Sequence, residues 1–279
     1  MWNSRTKDIG QLEGKLLLFG GPYSNLHALQ SLKQAADQAQ IPAQNIICTG
    51  DIVGYCAYPS ESLDFIRDWG IHAIYGNVEY NLIHDIDDCG CNFTEGGRCD
   101  LFSRQWYPYA KSRINEANQA YLNTLPEFIT FGRQGKRYHV LHGGLEDTSA
   151  FIFASTEDQI KTTITEKTGA DVIIGGHCGL PFIQQLSNGS WWLNAGVIGM
   201  PANDGKQTTW YAIADNNHIS FHSLTYDHTA AANAMRQNGL PGSYANTLET
   251  GIWDNCEILP ETEAKQQGID IEIDNATII

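Results

Sequence analysis

Four short apolar runs in this chain each end at a glycine turn that carries a residue able to bind a metal ion. Ile46 to Thr49 runs into Gly50-Asp51, His72 to Tyr75 into Gly76-Asn77, Arg137 to Leu141 into His142-Gly143, and Val172 to Gly175 into Gly176-His177. Asp51, Asn77, His142 and His177 together offer one carboxylate, one amide oxygen and two imidazoles, a donor set suited to Mn²⁺, Fe²⁺ or Zn²⁺. Asp51, His142 and His177 are also the groups of this set that can carry charge or a proton, which makes them the candidate catalytic residues. Taken singly, a Gly-Asp pair after a strand is a common turn, and a strand-end histidine is an ordinary polar residue. Four such ends in one chain point to a shared site, because independent turns have no reason to carry ligand-type side chains each time.

Bringing four strand ends to one place requires an α/β architecture, since open α/β sheets gather ligands at the C-terminal ends of their strands. The pattern from Lys15 onward agrees. Lys15 to Gly20 reads as a strand, Asn25 to Gln40 as a helix with Leu26, Leu29, Leu32 and Ala36 at helical spacing, and Ile46 to Thr49 as a second strand. Ser60 to Trp69 reads as a helix and His72 to Tyr75 as a third strand, which completes a βαβαβ unit and favours parallel pairing. Asn81 to Ser103 lacks periodicity and reads as a long excursion or lid, and Phe102 to Leu125 reads as helical up to Pro126. Strands are expected at Glu127 to Phe131 and Arg137 to Leu141, a helix at Thr156 to Thr168 and a strand at Asp171 to Gly175. Closely spaced strands follow at Phe182 to Leu186, Ser190 to Leu193, Thr208 to Ala214 and His218 to Leu224, joined by turns at Ser187-Asn188-Gly189 and Asp215-Asn216-Asn217. Asp227 to Gln237 reads as a helix. Residues 1–260 are expected to form a single domain of two packed sheets with helices outside, and residues 261–279 a loosely attached acidic, polar tail.

Composition narrows the partners. The chain has 279 residues, with 17 Lys+Arg against 32 Asp+Glu, a formal net charge of −15. Such a balance repels polyanions and argues against general nucleic-acid binding, while a small phosphate gripped by a metal or by backbone amides is compatible with it. No apolar run approaches a membrane span, and the polar lead from Met1 to Lys15 holds no signal-peptide core. Seven cysteines in a chain this size fit a reducing compartment, so a cytoplasmic location is expected. Cys89, Cys91, Cys99 and His84 match no common zinc spacing. The sequence leaves the oligomeric state open.

The ordered series Gly50-Asp51-x-x-Gly54, Gly76-Asn77-x-Glu79, His142-Gly143, Gly176-His177 and Asn194-Ala195-Gly196 resembles the calcineurin-like metallophosphoesterase superfamily, and within it the bacterial and archaeal phosphodiesterase branch. The resemblance spans roughly Lys15 to Leu224. It implies a four-layer α/β/β/α sandwich and a site of two divalent metals. It also exposes departures. Where the superfamily has Asp-x-His-Gly-Asn after the first strand, this chain has Gly21-Pro22-Tyr23-Ser24-Asn25, and where it has Gly-His-x-His this chain has Gly176-His177-Cys178-Gly179. The three missing ligands belong to one metal position, while the bridging Asp51 and the other position's Asn77, His142 and His177 are kept. Val78 stands where members often carry a histidine.

What the resemblance implies is a metal-dependent phosphoesterase acting on a small phosphomonoester or phosphodiester, with one intact metal position and a second only if other residues complete it. Tyr23 is a candidate phosphate contact or phenolate ligand, or else a filler of vacated volume. Asn25 and Asn194 are candidates for phosphate contact or for supporting the ligands, and Glu79 for orienting a ligand histidine. The alternative is a catalytically inactive relative that senses a nucleotide or docks a partner protein.

Overall fold

The computed structural model describes residues 5–278, so the first four residues of the N-terminal lead lie outside the described residues. In chain order the elements are β1 (Thr6–Gln11), β2 (Leu16–Phe19), α1 (Leu26–Gln38), β3 (Ile46–Cys48), α2 (Pro59–Trp69), β4 (His72–Ala73), α3 (Asn77–Ile83), α4 (Arg98–Lys111) and α5 (Glu116–Leu122). The second half adds β5 (Phe128–Arg133), β6 (Lys136–Val140), α6 (Asp158–Thr168), β7 (Val172–Gly175), β8 (Pro181–Gln185), β9 (Trp191–Ala195), β10 (Thr209–Asp215) and β11 (His218–Leu224). Helices α7 (His228–Gln237), α8 (Gly242–Thr250) and α9 (Glu261–Ala264) and strand β12 (Ala276–Thr277) close the chain. No helix among the described residues is long and apolar enough to cross a membrane.

The strands form two mixed sheets flanked by helices, one in the order β1-β5-β6-β7-β9-β8 and the other β12-β11-β10-β2-β3-β4. Strand β2 shows why they stack. All four of its residues are buried: Leu16 and Leu18 pack between the sheets with Ile129, Val140 and Ile174, while Leu17 and Phe19 face α1 and α2. A strand covered on both faces reads as an unbroken apolar run, and that run is what the sequence shows. On the far side of the other sheet, Ile173 and Trp192 pack with Ile164 of α6. The result is the four-layer α/β/β/α sandwich the sequence implies.

Parallel pairing of β2 with β3 and β3 with β4, and of β6 with β7 and β7 with β9, points the C-terminal ends of these strands toward one edge of the sandwich. The sheets meet there. Gly20 N–H donates to the Gly196 carbonyl at 3.0 Å and Ile198 N–H to the Gly20 carbonyl at 3.0 Å, stitching the end of β2 to the turn after β9.

The polar lead contains β1, an edge strand that pairs in parallel with β5 although almost all of it is exposed. Three expectations need correction. The helix expected over Phe102 to Leu125 is two helices, with α4 starting earlier at Arg98. Asn115 caps α5 by accepting from Asn118 N–H at 2.9 Å, while the Asn118 side chain accepts from Asn115 N–H at 3.3 Å, so the break is built from reciprocal caps. The stretch from Glu261 is not loosely attached: β12 pairs with β11, Ile278 is buried, and its N–H donates to the Asn217 carbonyl at 2.8 Å. The excursion also narrows, because α3 and α4 take both of its ends and leave residues 84–97 as loop.

Candidate metal centre

Asp51 follows β3, Asn77 begins α3 after β4, His142 follows β6 and His177 follows β7, and the fold brings all four together. His142 Nε2 lies 3.2 Å from Asp51 Oδ2, 3.1 Å from Asn77 Oδ1 and 3.1 Å from His177 Nδ1. All four side chains are buried. Asp51, His142 and His177 form the one group of three or more His, Cys, Asp or Glu residues, among those described, whose donor atoms converge. His84, Cys89, Cys91 and Cys99 do not gather in this way. Asp100 instead accepts from Gly96 N–H and pairs with Arg104, away from the site.

The backbone is bent to make this possible. Asp51 and His177 both sit at positive φ, 53° and 55°, in the left-handed region that ordinary residues avoid. Such strain persists only where neighbours over-determine it. Glu79 supplies one restraint. Fully buried, it accepts from the N–H groups of Asp51, Val53 and Gly76, each at 2.8 Å, and so clasps the turns after β3 and β4 through a single carboxylate. It bonds backbone and not a ligand histidine, which corrects the sequence expectation. The signal was present, since Glu79 stands three residues after Gly76 at a helix start, where a side chain reaches back to the cap N–H. A Cβ on Gly76 would fall onto Asp51 Oδ1, so the clasp also needs a glycine at that position.

Asn194 does the same for the other sheet. Its Nδ2 donates to the Gly176 carbonyl at 2.7 Å and to Cys178 Sγ at 3.1 Å, and its Oδ1 accepts from Gly196 N–H at 3.0 Å. Both polar atoms of the Asn194 side chain are engaged, Nδ2 with the His177 turn and Oδ1 with the turn after β9. Asn77 Nδ2 donates to the Cys89 carbonyl at 3.0 Å and Cys91 Sγ at 3.3 Å, which fixes its Oδ1 toward His142. Asn25 caps α1, accepting from Ala28 N–H at 3.1 Å and donating to the Gly199 carbonyl at 3.0 Å, so both ends of its amide are committed to the scaffold.

The electrostatics define the tautomer. His142 Nδ1 lies 2.6 Å from the Thr49 carbonyl, which can only accept, so Nδ1 carries a proton and Nε2 faces the cluster. Two oxygen acceptors, Asp51 Oδ2 and Asn77 Oδ1, then converge on His142 Nε2, with His177 Nδ1 beside it, and a proton or a cation reconciles them. Burial opposes charge on His142, but Asp51 beside it and the Thr49 carbonyl raise its pKa above the ordinary imidazole value. Burial likewise opposes ionisation of Asp51, and the neighbouring His142 overcomes it and holds the carboxyl below its usual range. His177 is lowered to about 3, first by burial and then by His142, so it presents a neutral ring. Burial and the Asp51 charge push Glu79 up to about 7. A divalent cation fits this donor set and would take the place of the single bridging proton.

The family model for the Calcineurin-like phosphoesterase superfamily domain matches residues 21–218, more than half of the chain. The chain belongs to the calcineurin-like phosphoesterase superfamily. Among curated proteins it is similar to the uncharacterized protein MJ0912 of Methanocaldococcus jannaschii, 26% identical over 239 residues, which covers 78% of this chain and 90% of that one. Among solved structures it is similar in fold to a metallophosphoesterase from Sphaerobacter thermophilus, with a TM-score of 0.68 and 21% identity over 86% of this chain and 100% of the other. The hypothetical protein PH1004 of Pyrococcus horikoshii OT3 shares the fold at a TM-score of 0.73 and 14% identity, over 86% of this chain and 99% of that one.

As a member of this superfamily, the chain carries an incomplete metal-ligand cluster with donors for one ion. Tyr23 packs over Gly21, one of the positions where a ligand of the superfamily is missing. A Cβ at Gly21 would lie 2.5 Å from Tyr23 Cζ and 2.6 Å from Val197 Cγ1. The Tyr23 ring is buried, packs edge-on against Tyr55 at 4.7 Å, and its hydroxyl pKa is raised well above the ordinary value by burial and by Asp51. Its ring fills the volume between Gly21 and Tyr55. Gly179, where the superfamily has a histidine, opens onto free space beside Trp253. The site has the donors for one divalent ion.

Proposed function

We propose that this protein is a metal-dependent phosphoesterase with one working metal position, acting on a small molecule that carries one phosphoester. The observation that supports it most is the convergence of Asp51, Asn77, His142 and His177 with the His142 Nδ1 proton committed to Thr49. That arrangement aims Nε2 at the cluster and makes it the ring nitrogen that can exchange its proton for an ion. Asp51, Asn77, His142 and His177 would hold Mn²⁺, Fe²⁺ or Zn²⁺, which supplies Lewis acidity toward a phosphoryl oxygen and acidifies water. Asp51 and His142 share a proton in the absence of the ion and would release it as Asp51 Oδ2 and His142 Nε2 become donors to the ion. Asn194 and Glu79 act through the ligands they position. Tyr23 bounds the reacting volume and excludes water from the part of the lost position beside Gly21. The cytoplasm is the proposed location, since all seven cysteines are free and six of them are buried.

A second reading, a binding protein without turnover, is favoured by the Tyr23 ring over Gly21 and by Val78 in place of a proton donor. Hydrolysis of a phosphodiester and a phosphomonoester with Mn²⁺, alongside calorimetric Mn²⁺ binding, separates the two. The phosphoesterase reading expects one bound Mn²⁺ and turnover, both lost in His142→Ala. Binding of one Mn²⁺ with no turnover above His142→Ala would leave the binding role. Full metal-dependent turnover in His142→Ala would overturn the assignment of the site.

A further inference from the structure

The two glycines that replace metal ligands pack in opposite ways. Gly21 is closed over by Tyr23, whereas a Cβ at Gly179 would meet nothing nearer than 3.9 Å, from Trp253 and Val197. One part of the vacated position is therefore filled and the other is open. The open part continues into a cleft whose lining includes both Asp51 and His177.

The lining chemistry is unlike that of a phosphate channel. Besides Tyr23, five aromatic side chains border the cleft: Tyr55, Phe93, Phe151, Tyr244 and Trp253. No lysine or arginine does, and the second carboxylate of the lining, Asp254, is engaged by Arg98 from outside, with Arg98 Nη2 donating to its Oδ1 at 2.8 Å. The aromatic surface reaches the donor cluster without a break, because the Phe151 ring lies 4.2 Å from the His177 ring at 37°. Tyr55 is fixed in place by three rings at 4.7 to 4.9 Å: Tyr23, Trp106 and Tyr244. The wall is preformed, as ligand sites usually are.

We infer that the cleft opened at Gly179 is a specificity subsite for a flat aromatic group on the substrate, and that the substrate is a phosphodiester carrying a single negative charge. The inference rests on the phosphoesterase reading for the place of the phosphoryl group, at Asp51 and His177, and goes beyond it in naming the arm. Aromatic walls favour a planar apolar group by burial and by edge and face contacts. Polyphosphates and dianionic monoesters bring charge that one divalent ion, in a lining with no cation and an acidic chain, does not balance.

The test is equilibrium binding of three non-hydrolysable probes to the Mn²⁺-loaded protein, read by calorimetry: methyl(phenyl)phosphinate and dimethylphosphinate, both monoanions with only P–C bonds, and the phenylphosphonate dianion. Methyl(phenyl)phosphinate is expected to bind about tenfold or more tightly than its dimethyl counterpart. That preference should fall several-fold in Phe93→Ala and Trp253→Ala, with Mn²⁺ affinity serving as the check that each variant is folded. Equal affinity for the phenyl and methyl probes in the unaltered protein overturns the subsite, whatever the variants do. A preference that survives in both folded variants overturns its location, and tighter binding of the phenylphosphonate dianion overturns the single-charge assignment. Failure of the phosphoesterase reading is seen separately. Aryl-selective binding without Mn²⁺-dependent turnover leaves the subsite standing in a protein that binds its ligand and does not cleave it.

Discussion

Replacing Gly21 by alanine adds one methyl group, and the structure says where it must go. The new Cβ would lie 2.5 Å from Tyr23 Cζ and 2.6 Å from Val197 Cγ1, at a backbone φ of +38°. Neither neighbour yields easily, because Tyr23 and Val197 are buried and Tyr55 stands edge-on behind the ring. The left-handed backbone costs roughly 1 kcal/mol for a residue with a Cβ. Overpacking a filled site costs about 1–3 kcal/mol more. Gly21→Ala should therefore lower stability by about 3 kcal/mol in urea unfolding. In a Tyr23→Ala background the ring contact is gone while φ and the Val197 contact remain, so the same substitution should cost about half as much. That difference, a coupling of about 1.5 kcal/mol, falls within the range for residues in direct contact. Calorimetric Mn²⁺ titration supplies the functional half: Gly21→Asp alone should still bind one equivalent, and Gly21→Asp combined with Tyr23→His and Gly179→His should bind a second. A Gly21→Ala cost under about 1 kcal/mol, or the same cost in both backgrounds, would refute the claim that the Tyr23 ring closes the lost metal position.

Two further outcomes are expected. The raised pKa of His142 means that in metal-free protein its proton contributes stability that is fully present below the ordinary imidazole value and lost as pH rises through the higher folded value. Mn²⁺ displaces that proton, so its affinity should rise about tenfold per pH unit across the same interval and level off above it; titrations at about pH 6 and about pH 8 that give one affinity would contradict this. Asn194→Asp keeps the acceptor for Gly196 N–H but loses the donor to the Gly176 carbonyl and Cys178 Sγ. Stability should drop by about 2–3 kcal/mol, and Mn²⁺ affinity by roughly 10- to 100-fold through a loosened His177. An unchanged Mn²⁺ affinity in a destabilised variant would show that His177 is held without Asn194.

The residues of the metal centre were readable because chain geometry leaves a local trace at each: an apolar run, a glycine and a ligand-type side chain within a few positions. Asp51, Asn77, His142 and His177 all carry that trace. Strand β1 does not, because an exposed edge strand is held by backbone pairing to β5 and needs no alternation of apolar side chains. The same is true of β12, two residues long and tied to β11. The break between α4 and α5 was hidden for a different reason: Asn115 and Asn118 cap reciprocally, while the apolar residues on either side keep a continuous helical spacing. The aromatic cleft could not be read at all. Tyr55, Phe93, Phe151, Tyr244 and Trp253 come from five separate segments, and nothing in their spacing along the chain marks them as neighbours.

The clasp formed by Glu79 has a consequence for how the ion comes and goes. Because one carboxylate ties the turns after β3 and β4 to each other, and Asn194 ties the turn after β7 to β9, the donor atoms are positioned by hydrogen bonds that need no ion among them. Loading is then an exchange of particles at a rigid seat, with no segment of chain to be ordered. Its entropy is set by the water and the proton released, and the ion can be stripped and replaced without the protein passing through a less folded form.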